Sequence, residues 1–283
     1  MKRIIYVFSL ALLLVSCAPK QVDKVMARYV PERKDDFVWE NEKICYRAYG
    51  QALESETLSP GFDVWAKRVD ALVADEWYDN NVNKKISYHK DYGQGKDCYK
   101  VSKSLGGGAS SPVVNGEFVF PATNYRSYDI LKSESEEAQF VLHYPAWDVD
   151  GKMVSLDKKI TVKAGTHFCE IEDVYSGDFE SITIAAGIWK HDGPELFTTD
   201  GNSFFAIWER ASDTSEEVED GMLGLALIMQ DADSVTIDGP ADHAVAYKSI
   251  KPGESVKYSI GSCFSKGSIK SWDEWLMCVD AAL

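Results

Sequence analysis

The sequence predicts an all-β protein, one large antiparallel β-sandwich carrying one or two short helices. Three observations lead there. Apolar residues alternate with polar ones over most of the chain, tight-turn dipeptides separate the alternating runs, and helical spacing occurs in only two places.

The alternating runs are explicit. Ile44, Tyr46 and Ala48 alternate with Cys45, Arg47 and Tyr49; Phe140, Leu142 and Tyr144 alternate with Val141 and His143; Val256, Tyr258 and Ile260 alternate with Lys257 and Ser259. A strand sends successive side chains to opposite faces, so each run presents one apolar face to a core. Asn115-Gly116, Asp150-Gly151 and Asp200-Gly201 stand beside such runs and supply the positive φ that a tight hairpin needs. Trp65, Val69, Leu72, Val73 and Trp77 mark one face of a possible helix beginning near Asp63, although Gly61 to Trp65 reads equally well as a strand. Trp272, Trp275, Leu276 and Val279 mark a second helix, with Ser271 as its N-cap.

Roughly fifteen strands are read this way, more than an immunoglobulin-like domain uses. The count suits a larger two-sheet supersandwich of the galactose-mutarotase type. Proline is sparse and no Ser/Gly-rich spacer or repeat interrupts the pattern, so residues 35–283 are expected to form a single domain.

The N-terminus carries a separate signal. Lys2 and Arg3 precede an apolar run, Ile4 to Val15, which is shorter than the ~20 residues a membrane-spanning helix needs. It ends in Leu14-Val15-Ser16-Cys17, small residues before a cysteine, as in a lipoprotein signal peptide. Residues 1–16 are therefore expected to be removed, Cys17 to be lipidated, and 17–34 to act as a tether. Several acyl chains hold a protein to a membrane far more firmly than one. No aspartate follows Cys17 directly and no acidic run adjoins it, which favours an outer-membrane lipoprotein facing the periplasm. The lipid is the expected membrane contact, since no second apolar span is found.

Lys and Arg number 30 against 45 Asp and Glu, a net charge of −15. Without Lys2 and Arg3 the balance is 28 against 45, or −17. Nucleic acid needs a basic footprint and is not an expected partner. An anionic small substrate would need a local cluster of Lys or Arg. Besides Cys17 there are Cys45, Cys98, Cys169, Cys263 and Cys278, an odd set without Cys-x-x-Cys spacing. These read as small buried hydrophobes with at most one bridge. No zinc motif, complete calcium loop, Walker loop or nucleophile elbow occurs, so neither a metal nor an organic cofactor is expected. Asp148 to Gly151 reads as a hairpin turn.

The densest polar-aromatic segment is Tyr88 to Lys100, followed by Ser104-Leu105-Gly106-Gly107-Gly108. His89 is suited to general acid–base work and Tyr92 to proton transfer, while Lys90 can neutralise a carboxylate. If residues 88–92 are extended, Tyr88, Lys90 and Tyr92 share one face and His89 and Asp91 the other. On composition alone, a polar hairpin edge is the simpler reading. A second cluster, Ala186 to Asp192, offers Trp189, Lys190 and His191 at a strand end. Lys67-Arg68 is a cationic pair beside Trp65, and a surface role suits it as well as a ligand role. His143, His167 and His243 read as structural.

These segments, in this order, resemble a family called domain of unknown function 4861. The resemblance rests on Asp36-Phe37-Val38-Trp39-Glu40-Asn41, Tyr46 to Gly50, Asp63 to Arg68, Tyr88-His89-Lys90-Asp91 onward, the glycine loop, Ala186-Gly187-Ile188 and Trp272-Asp273-Glu274-Trp275. It implies a setting in bacterial polysaccharide breakdown and, through a related oligosaccharide dehydratase, the removal of water from a terminal uronic acid. The sequence departs from the family pattern at Tyr92, where a second histidine is expected, at Cys98, where an aromatic is expected, and at Gly107.

The leading expectation is accordingly a carbon–oxygen lyase acting on an acidic oligosaccharide. Its catalytic candidates are His89, Lys90, Tyr92 and His191; its substrate-binding candidates are Lys67, Arg68, Gly107, Trp189 and Lys190. A non-catalytic glycan-binding lipoprotein and a mutarotase- or epimerase-like enzyme are the alternatives.

Overall fold

The computed structural model describes residues 23–56, 58–191, 195–211 and 220–283. Cys17, the signal peptide and Asp192 lie outside them. Within the described residues the chain is all-β apart from two short helices and two 3₁₀ turns. It forms the antiparallel sandwich that the alternation predicts.

A five-stranded sheet runs in chain order through β1 (Val25–Val30), β2 (Asp36–Asn41), β3 (Cys45–Ala48), β4 (Phe62–Lys67) and β5 (Gly95–Asp97). β1 belongs to the stretch expected to be tether. It pairs antiparallel with β2 along its whole length, and its end residues Val25 and Val30 are buried. A second five-stranded sheet is built from β6 (Gly107–Val114), β7 (Glu117–Phe118), β12 (Ile182–Trp189), β16 (Ser234–Gly239) and β17 (His243–Ile250). The third sheet has eight strands: β8 (Ser127–Ser133), β9 (Glu137–Val149), β10 (Lys152–Lys163), β11 (Phe168–Gly177), β13 (Leu196–Thr199), β14 (Phe204–Arg210), β15 (Met222–Ile228) and β18 (Ser255–Phe264). A parallel bridge between Phe62 and Gly106 joins the two smaller sheets edge to edge. Together they form one layer, which packs on the eight-stranded sheet through Phe37, Trp39, Tyr46, Phe62, Phe140, Ile160 and Ile260.

The hairpins follow the dipeptides. Asn115 and Gly116 have φ of 52° and 82°, and Asp150 and Gly151 have 54° and 77°, the left-handed pair that a two-residue hairpin requires. The glycine loop acts through closeness. A Cβ on Gly106 would lie 2.2 Å from the Phe62 carbonyl oxygen, and one on Gly107 would lie 2.1 Å from a Val64 methyl. These glycines let the two smaller sheets meet.

The helices differ in how well spacing placed them. Trp272–Asp280 (α2) is capped by Ser271, whose side chain accepts from the Glu274 N–H, and it buries Trp275 and Val279 on the eight-stranded sheet. The first helix is Ala74–Val82 (α1), whereas Phe62–Lys67 is a strand. Trp65 and Trp77 do share a face, with ring centroids 5.1 Å apart, but they meet across a chain reversal rather than along one helix. Of the described cysteines, Cys45, Cys98, Cys169 and Cys263 are buried and Cys278 is partly exposed.

Candidate functional site

The outer face of the first sheet, turned away from the sandwich, carries charge. Parity along β3 and β4 sends Tyr46, Ala48, Phe62 and Val64 into the core, and Cys45, Arg47, Asp63 and Trp65 outward. This outer face is roofed by α1 and by the segment that follows it, through Val73, Trp77, Tyr78 and Tyr88.

Glu40 and Asn41 fix the roof. Glu40 accepts N–H bonds from Val73 (3.0 Å) and Ala74 (2.8 Å) at the start of α1, a carboxylate where the helix dipole favours one. Its other oxygen takes the Lys67 ammonium at 3.0 Å. Lys67 also donates to the Asn41 carbonyl, and its side chain is 1% exposed. Lys67, read as a ligand residue, is therefore consumed in holding α1 to the sheet. The Asn41 side chain donates to the carbonyls of Lys163 and Thr166, stitching this sheet to the β10–β11 turn.

Arg47 is the centre of the charged face. It is 2% exposed and bonds Asp63, Asp97 (2.9 Å) and the Tyr88 hydroxyl (3.3 Å), with Asp36 at 3.6 Å. Its guanidinium stacks near Tyr49 (4.9 Å), Trp65 (5.4 Å) and Tyr88 (5.6 Å). Arg33, partly exposed, gives one hydrogen bond to Asp36 and another, from Nε, to the same Tyr88 hydroxyl at 3.2 Å. Burial pushes the Asp36 carboxyl up from its ordinary range, and the two guanidiniums oppose this. Arg33, Arg47, Tyr49 and Asp97 were not singled out from sequence. The traces they left were the shared parity of Arg47 and Tyr49 and the place of Asp97 within the Tyr88–Lys100 segment.

His89 stands at the open edge of this cluster. Its Nδ1 lies 3.0 Å from the Asp97 carbonyl oxygen and 3.7 Å from an Asp97 carboxylate oxygen. A carbonyl only accepts, so Nδ1 carries the proton and Nε2 keeps the lone pair in the neutral ring. The side chain is 60% exposed, and Nε2 has no protein partner among the described residues. The ring packs edge-on against Tyr88, with centroids 4.7 Å apart. Tyr88 thus joins His89 on one side to Arg33 and Arg47 on the other.

Residues 88–92 form turns and bends rather than an extended strand, and Lys90 and Tyr92 face away from His89. With Tyr88, Trp77, Ile86, Asn80 and Gln94 they line a cleft of about 510 Å³ between α1 and residues 86–95. Tyr92 is 63% exposed, and the Lys90 ammonium lies 5.7 Å from its ring centroid. Asp91 turns inward and accepts from the N–H groups of Gly93 (2.6 Å) and Gly95 (3.0 Å), which shapes the loop. Burial alone would raise its carboxyl, but these two amides and Arg68 hold it below the usual range. Arg68 meets Asp91 at 3.3 Å with its side chain still 46% exposed.

The second cluster is committed elsewhere. His191 faces Glu209 from Nδ1 (2.9 Å) and the Lys100 carbonyl from Nε2 (2.7 Å). Both ring nitrogens are thus occupied by acceptors on the protein, so neither is turned to a substrate. Trp189 packs on His191 with centroids 4.5 Å apart, and Lys190 donates to the Ile237 carbonyl. Gly107 is buried where the sheets join. His89 and His191 therefore border the same stretch, Asp97 to Lys100, but of the two it is His89 whose Nε2 is open. His243 holds the glycine loop: its Nε2 accepts from the Leu105 N–H at 3.1 Å while Nδ1–H serves the Pro240 and Ala241 carbonyls. Burial lowers it to about 4. No group of His, Cys, Asp and Glu among the described residues is arranged to hold a metal ion.

A family model described as "Domain of unknown function (DUF4861)" matches residues 15–282, and the chain belongs to that family. "Uncharacterized protein P7" of Formosa agariphila is 32% identical over 211 residues, covering 71% of this chain and 51% of the relative. The chain thus spans about half the length of that relative. Among solved structures it is similar to the GH36 α-galactosidase AgaB of Geobacillus stearothermophilus (12% identity, TM-score 0.40, 86% of this chain and 41% of that one). It is also similar to a putative aldose 1-epimerase of Klebsiella pneumoniae (9% identity, TM-score 0.39, 90% and 87%).

Proposed function

We propose that this member of the DUF4861 family is a lipid-anchored enzyme of acidic-polysaccharide breakdown, an oligosaccharide dehydratase that removes water from a terminal uronic acid. The observation that carries the reading is His89. It has a proton fixed on Nδ1 by the Asp97 carbonyl and an open Nε2, and it sits against a tyrosine bound by two guanidiniums.

The chemistry asks for three things. The C5 proton of a uronate is weakly acidic, so the carboxylate must be neutralised; a base must take the proton; and the departing C4 hydroxyl must receive one. Arg33 is the partly exposed guanidinium beside Tyr88 and is the group proposed to hold the carboxylate. Nε2 of His89 takes the C5 proton, the C5–H electron pair forms the 4,5 double bond, and the C4–O bond breaks. His89 then returns that proton to the C4 oxygen, which leaves as water. One residue closes the proton balance, so Tyr92, turned to the opposite side, is not required as the acid. Cys17 carries the anchor in this reading, and the domain faces the periplasm from the outer membrane.

The direct test is a mass-spectrometric screen of uronate-ended oligosaccharides incubated with the protein. A product lighter by one water, with the ultraviolet absorbance of an unsaturated uronate, is expected. Unchanged mass across the panel sinks the proposal.

A further inference from the structure

The cleft between α1 and residues 86–95 takes no part in the proton transfer proposed for His89, yet it has the make-up of a sugar site. Its floor is aromatic and nearly closed to solvent, formed by Trp77 and Tyr88. At its mouth stand Ile86 and Tyr92, both exposed, 40% and 63%. Apolar side chains left in water around a concavity are where a ligand's apolar face gains most. Polar groups are fixed among them. The Gln94 amide accepts from the Trp77 indole N–H at 3.0 Å and donates to Glu76 at 3.0 Å, which locks its orientation.

The cleft lining carries one charge of each sign, Glu76 on the α1 wall, where Gln94 donates to it, and Lys90 on the facing wall. In a chain of net charge −15, residues 84–90 carry three lysines, of which Lys90 lines the cleft and Lys84 and Lys85 stand outside it. Lys84 is paired with Asp79 and Lys85 donates to the Val82 carbonyl. Lys90 has no carboxylate partner among the described residues; its ammonium rests near the Tyr92 ring, inside the cleft lining. A cation held by an aromatic ring beside an apolar platform fits a pyranose that carries an anionic substituent.

We infer that this cleft is a second sugar subsite, in which Tyr92 and Ile86 take the face of a ring and Lys90 pairs with an anionic group on that ring. The inference rests on the dehydratase reading in one respect, that the ring bound here belongs to the same oligosaccharide whose end reaches His89. Tyr88 spans both places: its ring lines the cleft and packs on His89. The substrate class is then narrower than any chain with a uronate end. It carries a second negative charge, carboxylate or sulfate, on a unit that does not react.

The test is calorimetric binding at low salt with the full-length protein. The probes are an oligogalacturonide tetrasaccharide, a sulfated galactan tetrasaccharide and neutral maltotetraose. At least one acidic probe is expected to bind about tenfold or more tightly than the neutral one, and whichever does so separates carboxylate from sulfate. Lys90→Met is expected to abolish that preference, and Tyr92→Ala to weaken the acidic probe about tenfold, the loss of one aromatic or charged contact. Both side chains are exposed, so thermal unfolding should be unchanged and folding does not confound the result. Absence of binding by either acidic probe, or wild-type binding by both variants, overturns the subsite. Binding that depends on Lys90 and Tyr92 without any dehydrated product would sink the dehydratase and leave the subsite standing. Dehydration with binding indifferent to both variants would do the reverse.

Discussion

Two buried charge networks lie on opposite faces of β4, and only one of them reaches solvent. On the outer face, Arg47 and Arg33 are set among Asp36, Asp63 and Asp97, and the cluster ends at His89. On the inner face, between the layers, Lys158 bonds Asp173 at 2.5 Å, with Ser110 and Tyr258 at 3.3 Å, and its ammonium lies 5.4 Å from the Phe62 ring centroid. Lys158 is 1% exposed and Asp173 is fully buried, and burial pulls the ammonium below its ordinary range although Asp173 opposes this. Both networks combine tyrosines with a tight ion pair. The inner ion pair, Lys158 with Asp173, is sealed between the layers, so its charges answer one another and the fold. The outer one ends in an exposed imidazole with an open nitrogen. Access, rather than buried charge, separates a site from a strut here.

The largest expected effect breaks each network at its cation. Arg47→Met and Lys158→Met should each cost about 3–5 kcal/mol in denaturant unfolding, because carboxylates are left buried without a partner. The two should then diverge. Adding Asp173→Asn to Lys158→Met should recover most of the loss, since a neutral amide can still bond Tyr258 and Ser110. Asp63→Asn added to Arg47→Met should recover little, because Asp36 and Asp97 remain. Equal recovery in both would erase the distinction between a one-anion and a three-anion network.

A smaller effect concerns pH. His243 is held at about 4 in the fold, against 6.5 for the ordinary group. Between those values the unfolded chain binds the proton and the folded chain does not, so stability rises with pH across the window and is lost as pH falls through it. The loss should approach about 3 kcal/mol at the acid end. It should shrink in His243→Gln, as followed by urea midpoints. The smallest effect has the opposite sign. His143 sits on the exposed face of the eight-stranded sheet between Asp157 (2.7 Å) and Asp129 (3.1 Å). Desolvation lowers it, but the two carboxylates outweigh this and raise it. Its stabilisation is present at acid pH and fades as pH rises through the raised value, by no more than about 1 kcal/mol. A His143→Gln midpoint that moves with pH as the wild type does would remove this contribution.

The parts of the molecule that depend on neighbours in sequence were legible. Strand alternation gave the faces of β3, whereas residues 88–92 are turns and bends to which strand parity does not apply. The hairpin dipeptides and the Ser271 cap behaved as local chemistry dictates. What escaped was set by contacts far apart in the chain. Arg47 gains its meaning from Asp63 and Asp97, and Lys67 is taken out of play by Glu40. Both His191 nitrogens are occupied by acceptors, Glu209 and the Lys100 carbonyl, and Gly107 is needed because Val64 approaches it. Spacing cannot reveal such pairings. It also left Trp65 open between helix and strand, because two tryptophans can share a face across a reversal of the chain as readily as along a helix.

The central claim is that His89 removes the C5 proton. It is tested most directly by measuring the unsaturated product formed from uronate-ended oligosaccharides by the wild type and by His89→Ala. The account predicts product from the wild type and a loss of about a hundredfold or more in the variant, the contribution of a positioned base, with an unchanged unfolding temperature because the side chain is exposed. Wild-type rates in His89→Ala would contradict it.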